Sequence, residues 1–458
     1  PETLLDDEAK ARATSVYLPH AVLPMLPSRL SDNLCSLRAK VPRLAMTVSM
    51  EIENDCTIGK VAAFESIIEV QENLSYEDAL DNPKFQNMMD LAEELRRNEI
   101  RLNLNSAELR PRVHEDEITV NVKWPNKATE MIETFMVATN NSIGILLGEK
   151  NAPLPWRCHA PPDAPEVEEL NAKFKNMGIN IELPMPSVKK FGQSEEAELA
   201  SMLGDWANSG NIEISGLENS NDQDDVAQYL KNVLDPNARK DILISLKEAQ
   251  QKANDLKSAT RRVVDHGLFY LLQRAIYSPE NLGHFGLNLN AYVHFTSPIR
   301  RYADLVVHRQ LKSFLNEEDW VHSEKEITEI SEQCTANSQE AKSIEWELVA
   351  NAFHLHLLRG GTIESVENSQ EKLELKQWPA RVVGLRNPWI FLDLLDDGAI
   401  RGKLHVSQLG DGRQLSTDEF GLHLINENSK ESDDIILSLG QKFPCRLRGL
   451  DLWSGELD

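Results

Sequence analysis

The stretch HFTSPIRRYADLVVHRQL, residues 294–311, gathers two adjacent arginines, two histidines and an aspartate. Thr296 or Ser297 is placed to cap a helix that opens at Pro298, since a hydroxyl can accept from a free N–H of the first turn and proline suits the first helical position. Arg300 and Arg301 then stand in that first turn, beside unsatisfied N–H groups and the positive end of the helix dipole. Phosphate is the natural guest of such a place, and without an anion the two arginines oppose the dipole. Asp304 follows Arg300 by four residues and Arg301 by three, so it can orient a guanidinium. Ile299, Tyr302, Ala303 and Val306 form the opposite, buried stripe. The plainer alternative is an amphipathic helix with Arg–Asp pairs on its wet face, worth about 0.2–0.5 kcal/mol each.

Other residues raise the same choice between chemistry and packing. Glu133 and Glu345 each interrupt an apolar helical stripe, a costly position unless a cation or metal pairs with the carboxylate; a glutamate reaching solvent at the helix edge is the alternative. Tyr17 and Tyr76 follow turn-like segments, where they can stack on bases or enter the core. Trp389, Phe391 and His405 fall on neighbouring short strands, as stacking residues for single-stranded nucleic acid or as core. Asp222, Asp224 and Asp225 have metal-like spacing, but an acidic first turn before VAQYLKNVL explains them by capping and dipole.

The elements that must position these residues are α+β in type. A helix over 3–13 leads to a proline-spaced segment that stays extended or turning. From Arg43 the pattern alternates, with Leu44, Met46, Val48, Met50 and Ile52 on one face, and KVAAFESIIEV returns as the partner strand. Ser75 and Asp78 have capping-box spacing, and a longer helix covers about 84–105. KATEMIETFMVATNNSIGILLG is a core helix. Further helices are expected near 225–234, 240–256 and 266–277, and a long one ends at Gly360. Beyond a polar linker, 361–372, the period becomes alternating: WPARVVGL, PWIFLDLL, AIRGKLHVSQL and KFPCRLRGLDLW read as a small all-β barrel of OB type. The expected organisation is a first unit over 1–360 and an OB unit over 373–458.

Composition sets outer bounds. The 458 residues allow two to three domains. No run approaches the length of a membrane span. Five cysteines lie far apart with no paired spacing, which argues against disulfides or a zinc site and for a reducing, cytoplasmic setting. A formal charge of -25 leans against nucleic acid, although a basic lining inside an acidic shell is physically allowed.

Together these stretches resemble the ribonuclease II / ribonuclease R family, whose catalytic module is called RNB. The likeness is carried by HFGLNLNAYVHFTSPIRRYADLVVHRQL, ARATSVYLPHAVLPMLPSRLSDNLCSL, MIETFMVATN and PLPWRCHAPPD, with C-terminal strands similar to an S1-type OB domain. The resemblance implies processive hydrolysis of single-stranded RNA from its 3′ end to nucleoside 5′-monophosphates, with Mg²⁺ activating water. It implies Arg300, with Arg301, as the catalytic clamp on the scissile phosphate. Tyr17, Tyr76, Glu133 and Glu345 would contact the RNA, with His294, Thr296, Ser297, Trp389, Phe391 and His405 lining its path. The family's metal-binding aspartates would lie upstream of Pro1, and no metal ligand is assigned within these residues. Leu104 stands where the family often has a stacking aromatic, which would weaken the hold on the last bases. A catalytically silent, RNA-holding regulator of the same family is the alternative. No obligatory protein partner is inferred.

Overall fold

The structure is a computed structural model that describes residues 3–99, 108–114, 117–162, 164–184, 236–254, 258–358, 378–393, 401–409, 415–418, 422–426 and 435–445. Leu104, the aspartates at 222–225, the expected helix at 225–234, Gly360 and the linker 361–372 lie outside the described residues.

Helix α1 (Leu4–Arg12) is capped by the Thr3 hydroxyl and ends at Ala13 in the left-handed conformation, which turns the chain into an extended segment. β1 (Val16–Tyr17) and β2 (Val22–Leu23) pair antiparallel. The expected hairpin is a long ribbon of β3 (Pro42–Ile52) and β4 (Ile58–Glu69). Its Met46, Val48 and Ala63 pack against a core that contains Ile143, Leu147, Leu154, Val293 and Leu311. Each such aliphatic side chain contributes about 1.5–3 kcal/mol when fully buried.

α2 (Tyr76–Leu80) opens on the Ser75–Asp78 capping box. α3 (Gln86–Asn98) packs on the first turns of α4 (Lys127–Gly148) through Met89, Ala92, Ala128 and Met131. Between α3 and α4 stands a hairpin that the sequence reading did not anticipate, β5 (Glu108–His114) with β6 (Glu117–Lys123). β7 (Trp156–Cys158) pairs with β8 (Ile276–Ser278). Between β7 and β8 in sequence, α5 (Ala164–Asn176), α6 (Pro236–Asn254) and α7 (Ser258–Tyr270) share a core around Phe174, Leu243, Leu246 and Leu268. The helix expected over 266–277 therefore ends earlier, because Ile276–Ser278 gives its backbone to β7 instead.

α8 (Tyr302–Asn316) and α9 (Glu324–Leu358) follow, packed with α1 around Tyr302, Val306 and Ile330. At the C-terminal side, β9 (Trp378–Arg386), β10 (Trp389–Asp393), β11 (Arg401–His405) and the late β15 (Lys442–Cys445) form a sheet in the order β11-β10-β9-β15. β12 (Leu415–Thr417), β13 (His423–Asn426) and β14 (Ile435–Ser438) form a second sheet. Both sheets share one core with Ile118 and Val120 of β6 and Phe353 of α9. Mixed helices and antiparallel strands thus match the expected class. The C-terminal strands curl around a common core as two sheets, and no closed barrel ladder joins them among the described residues.

Candidate functional site

The arginine pair does not stand in the first turn of a helix. α8 begins at Tyr302, with Arg301 as an extended N-cap residue (φ -135°, ψ 124°) and no side-chain cap, so neither Thr296 nor Ser297 caps it. The cause is a partner distant in sequence. Ser15 N–H donates to the Arg300 carbonyl at 3.0 Å and Tyr302 N–H donates to the Ala13 carbonyl at 2.8 Å. The Thr14 hydroxyl also donates to the Arg300 carbonyl, at 3.2 Å. Pro298–Arg300 form a turn instead, with the N–H groups of Arg300 and Arg301 both pointing to the Ser297 carbonyl at 3.2 Å. Strand-like pairing to residues 13–15 holds the arginines just ahead of the helix.

The two guanidiniums then face different surroundings. Arg301 turns inward and forks onto Asp304, with Nε to Oδ2 at 2.7 Å and Nη2 to Oδ1 at 2.8 Å. Asp304 is fully buried, and its Oδ1 also accepts from Ser297 N–H at 2.7 Å. Burial pulls the Arg301 pKa down, but the Asp304 carboxylate more than offsets it, so the guanidinium is held charged. Arg300 is exposed and donates to the Ser297 hydroxyl at a long 3.4 Å. The spacing correctly placed Asp304 as an orienting carboxylate, and the structure assigns it to Arg301.

Behind this pair lies a layer of rings and amides. The Tyr277 hydroxyl and His294 Nδ1 are hydrogen-bonded at 2.8 Å, and Tyr292 meets the His294 ring edge-on. Asn140 of α4 donates to the Tyr292 hydroxyl at 3.1 Å, while its carbonyl accepts from the N–H groups of Phe295 and Thr296. Arg157 of β7 lies over the Tyr277 ring, 4.8 Å from its centre. Burial, then Arg301 and Arg157, hold the His294 pKa well below its usual value, so the ring is neutral near pH 7. Burial likewise lowers His159 to about 4. Its Nδ1 accepts from Gly286 N–H and its Nε2 bonds the Gln273 carbonyl, which fixes the tautomer. Arg157, Tyr277 and Tyr292 were missed by sequence reasoning. Arg157 lies in PLPWRCHAPPD and Tyr292 in HFGLNLNAYVHFTSPIRRYADLVVHRQL, blocks that carry the resemblance, but no cap, period or spacing marked either residue for a role.

The remaining predicted residues divide. Glu345 of α9 accepts from the Tyr17 backbone N–H at 2.7 Å and pairs with Lys342 at 3.7 Å, so the carboxylate read as costly unless paired has partners on β1 and on its own helix. β1 directly follows residues 13–15, which pair with the arginine turn, and the Tyr17 ring there is exposed. Glu133 is not set into the core: its side chain is 55% exposed and pairs with Arg96 of α3 at 3.4 Å, because α3 covers the other face of α4. Tyr76, also exposed, has the Lys123 ammonium over its ring. In the C-terminal sheet Trp389 and His405 are cross-strand partners with rings 5.0 Å apart. Ile390 and Leu392 enter the core, which leaves Trp389 and Phe391 on the opposite face, half-buried. Phe391 lines a cleft with Lys173 of α5 and Gly267 of α7.

Among the described residues no three His, Cys, Asp or Glu side chains converge as metal ligands. Asp304, the carboxylate of the cluster, is committed to Arg301 and Ser297. A hard divalent cation needs several oxygen ligands, so the described residues do not fit the Mg²⁺ that the resemblance implies. What they offer is a rigid, positively charged rim suited to an anion.

Comparison with known proteins finds relatives of this chain. Ribonuclease R of Thermotoga maritima is 30% identical over 482 residues, covering 99% of this chain and 57% of that protein. Ribonuclease R of Escherichia coli is 26% identical, covering the whole chain and 51% of that protein. This chain therefore spans a little over half the length of these relatives. In fold it is similar to Mycoplasma genitalium RNase R in complex with ribose-methylated single-stranded RNA, with a TM-score of 0.72 at 20% identity over all of this chain and 64% of the other. It is also similar to yeast Ssd1, a pseudonuclease, with a TM-score of 0.59 at 19% identity over 92% of this chain and 46% of the other. The RNB domain family matches residues 1–317, and the chain belongs to that family.

Proposed function

We propose that this chain is the RNA-engaging part of a 3′→5′ exoribonuclease of the ribonuclease R type, acting processively on single-stranded RNA and releasing nucleoside 5′-monophosphates. The observation that carries the reading is the exposed Arg300 guanidinium beside an Arg301 locked by a buried carboxylate. Backbone pairing with residues 13–15 holds the turn that carries Arg300, and its exposed guanidinium would stabilise charge that develops on a phosphoryl oxygen. Arg301, held by Asp304, would add positive potential, and the exposed Tyr17 ring would stack on a terminal base. Trp389 and Phe391 would guide RNA along the C-terminal sheet. The Mg²⁺ of the family chemistry finds no ligand set among the described residues, and no step here is routed through it.

The second reading is an RNA-holding protein without cleavage. The fold is shared with a pseudonuclease, so fold alone does not decide between them. Incubation of a full-length protein that includes this chain with 5′-labelled, 3′-tailed RNA and Mg²⁺ separates the two, since this chain alone is expected to be inactive. Stepwise shortening to very small products is expected; tight binding without shortening supports the second reading. Arg300→Ala should then lower turnover by on the order of a hundredfold with little change in RNA affinity. Near-normal turnover in that variant would remove Arg300 from the catalytic assignment.

A further inference from the structure

We propose that Arg157 is a phosphate-binding residue of this site, a guanidinium that takes an internucleotide phosphate next to the one engaged by Arg300. The proposal rests on the RNA-binding reading above and adds a residue to which the sequence reading assigned no role.

Its position is built, not incidental. β7 is held on both sides, since Arg157 is the cross-strand partner of Tyr277 and its N–H donates to the Tyr292 carbonyl at 2.9 Å. Trp156 and Cys158 are buried on one face, so the Arg157 side chain leaves from the other. Trp156 is seated tightly on α4, where a Cβ added to Gly148 would lie 2.9 Å from its Cη2. The strand therefore has little freedom to move its arginine.

Charge supplies the second argument. Among the described residues no carboxylate pairs with Arg157 or with Arg300, while Arg301 has Asp304. The chain has 73 acidic side chains against 48 basic ones, so partners were plentiful. A half-buried guanidinium without an anion is costly. With Tyr277 covering one side, its N–H donors remain for a forked contact to phosphate oxygens. Arg157 lies over the Tyr277 ring, whose hydroxyl bonds His294 at 2.8 Å, three residues before Ser297 of the arginine turn, which ties Arg157 to that locality.

A brace for the Tyr277–His294 bond is the competing role, and salt dependence separates the two. The affinity of the whole chain for a short fluorescent oligouridylate is measured in EDTA across a salt series. Each neutralised phosphate contributes a slope of about -0.7 in log K against log salt for single strands. Arg157→Gln should reduce the slope by about 0.7 and weaken binding on the order of tenfold at low salt. Arg157→Lys should keep the slope. A mere brace would leave the slope unchanged in both, and that result overturns the proposal alone. Absence of binding by the unaltered chain overturns the RNA reading with it. If the Gln variant does not fold, single methylphosphonate linkages walked along the RNA decide the matter. One neutralised linkage should cost Arg157→Met, whose unbranched side chain still covers Tyr277, several-fold less than the unaltered chain, and equal costs at every linkage overturn the proposal.

Discussion

Three N–H donors converge on the buried carboxylate of Asp304, two from Arg301 and one from the Ser297 backbone. The arrangement places Asp304 in support of the arginine rim, where it fixes both a side chain and a turn. Removing one partner of a desolvated pair leaves the other charged and alone, which costs about 3–5 kcal/mol. Asp304→Asn is therefore expected to destabilise the protein by about that amount, read from the urea midpoint at an unchanged denaturant slope. A loss below about 1 kcal/mol would mean that Arg301 finds another anion or reaches solvent at little cost.

Between elements, Asn140 is the link that ties α4 to the arginine turn. Its carbonyl accepts from two backbone N–H groups and its amide donates to Tyr292, all in a buried place. Asn140→Ala strands those groups and should cost about 2–4 kcal/mol, with faster hydrogen exchange at the Phe295 and Thr296 amides as the local signature. Unchanged protection there would dissociate the two. The helix that carries Asn140 was fully legible in the sequence, as were the β3–β4 alternation and the Ser75 capping box, because period and caps are local. The start of α8 was not. Its four-residue displacement comes from pairing with residues 13–15, which lie nearly the whole family domain away in sequence, and no local propensity encodes that. Glu133 and Glu345 show the same limit: helical stripes were read without knowing that Arg96 and the Tyr17 amide would face them. Resemblance supplied Arg300, whereas Arg157 needed the cross-strand contact with Tyr277 to be noticed.

For the whole molecule, with a net charge of -25 and histidines held neutral in the layer behind the arginines, pH is a probe of how it is assembled. His159 is held neutral by burial, with its pKa lowered to about 4 from an ordinary 6.5, and His294 is lowered as well, by burial and then by Arg301. Between pH 6.5 and about 4 the unfolded chain binds protons that the folded chain refuses, so stability rises with pH and is lost on acidification through this window. At about 1.4 kcal/mol per unit, His159 alone accounts for roughly 2 kcal/mol of loss by pH 5. Two effects compete with this. Neutralising surface carboxylates relieves self-repulsion and works in the opposite sense. Asp6, whose pKa is lowered by Arg309 despite burial, adds to the loss only below the ordinary carboxylate range, so it leaves the pH 7 to 5 interval to the histidines. Thermal melts at pH 7 and pH 5 on the unaltered chain and on His159→Asn isolate the term. The variant is less stable at pH 7, having lost the bond to the Gln273 carbonyl, but it should lose about 2 kcal/mol less than the parent on going to pH 5. Equal losses in the two proteins would show that His159 takes up its proton without opening the layer behind the arginines, and would place the acid sensitivity elsewhere in the fold.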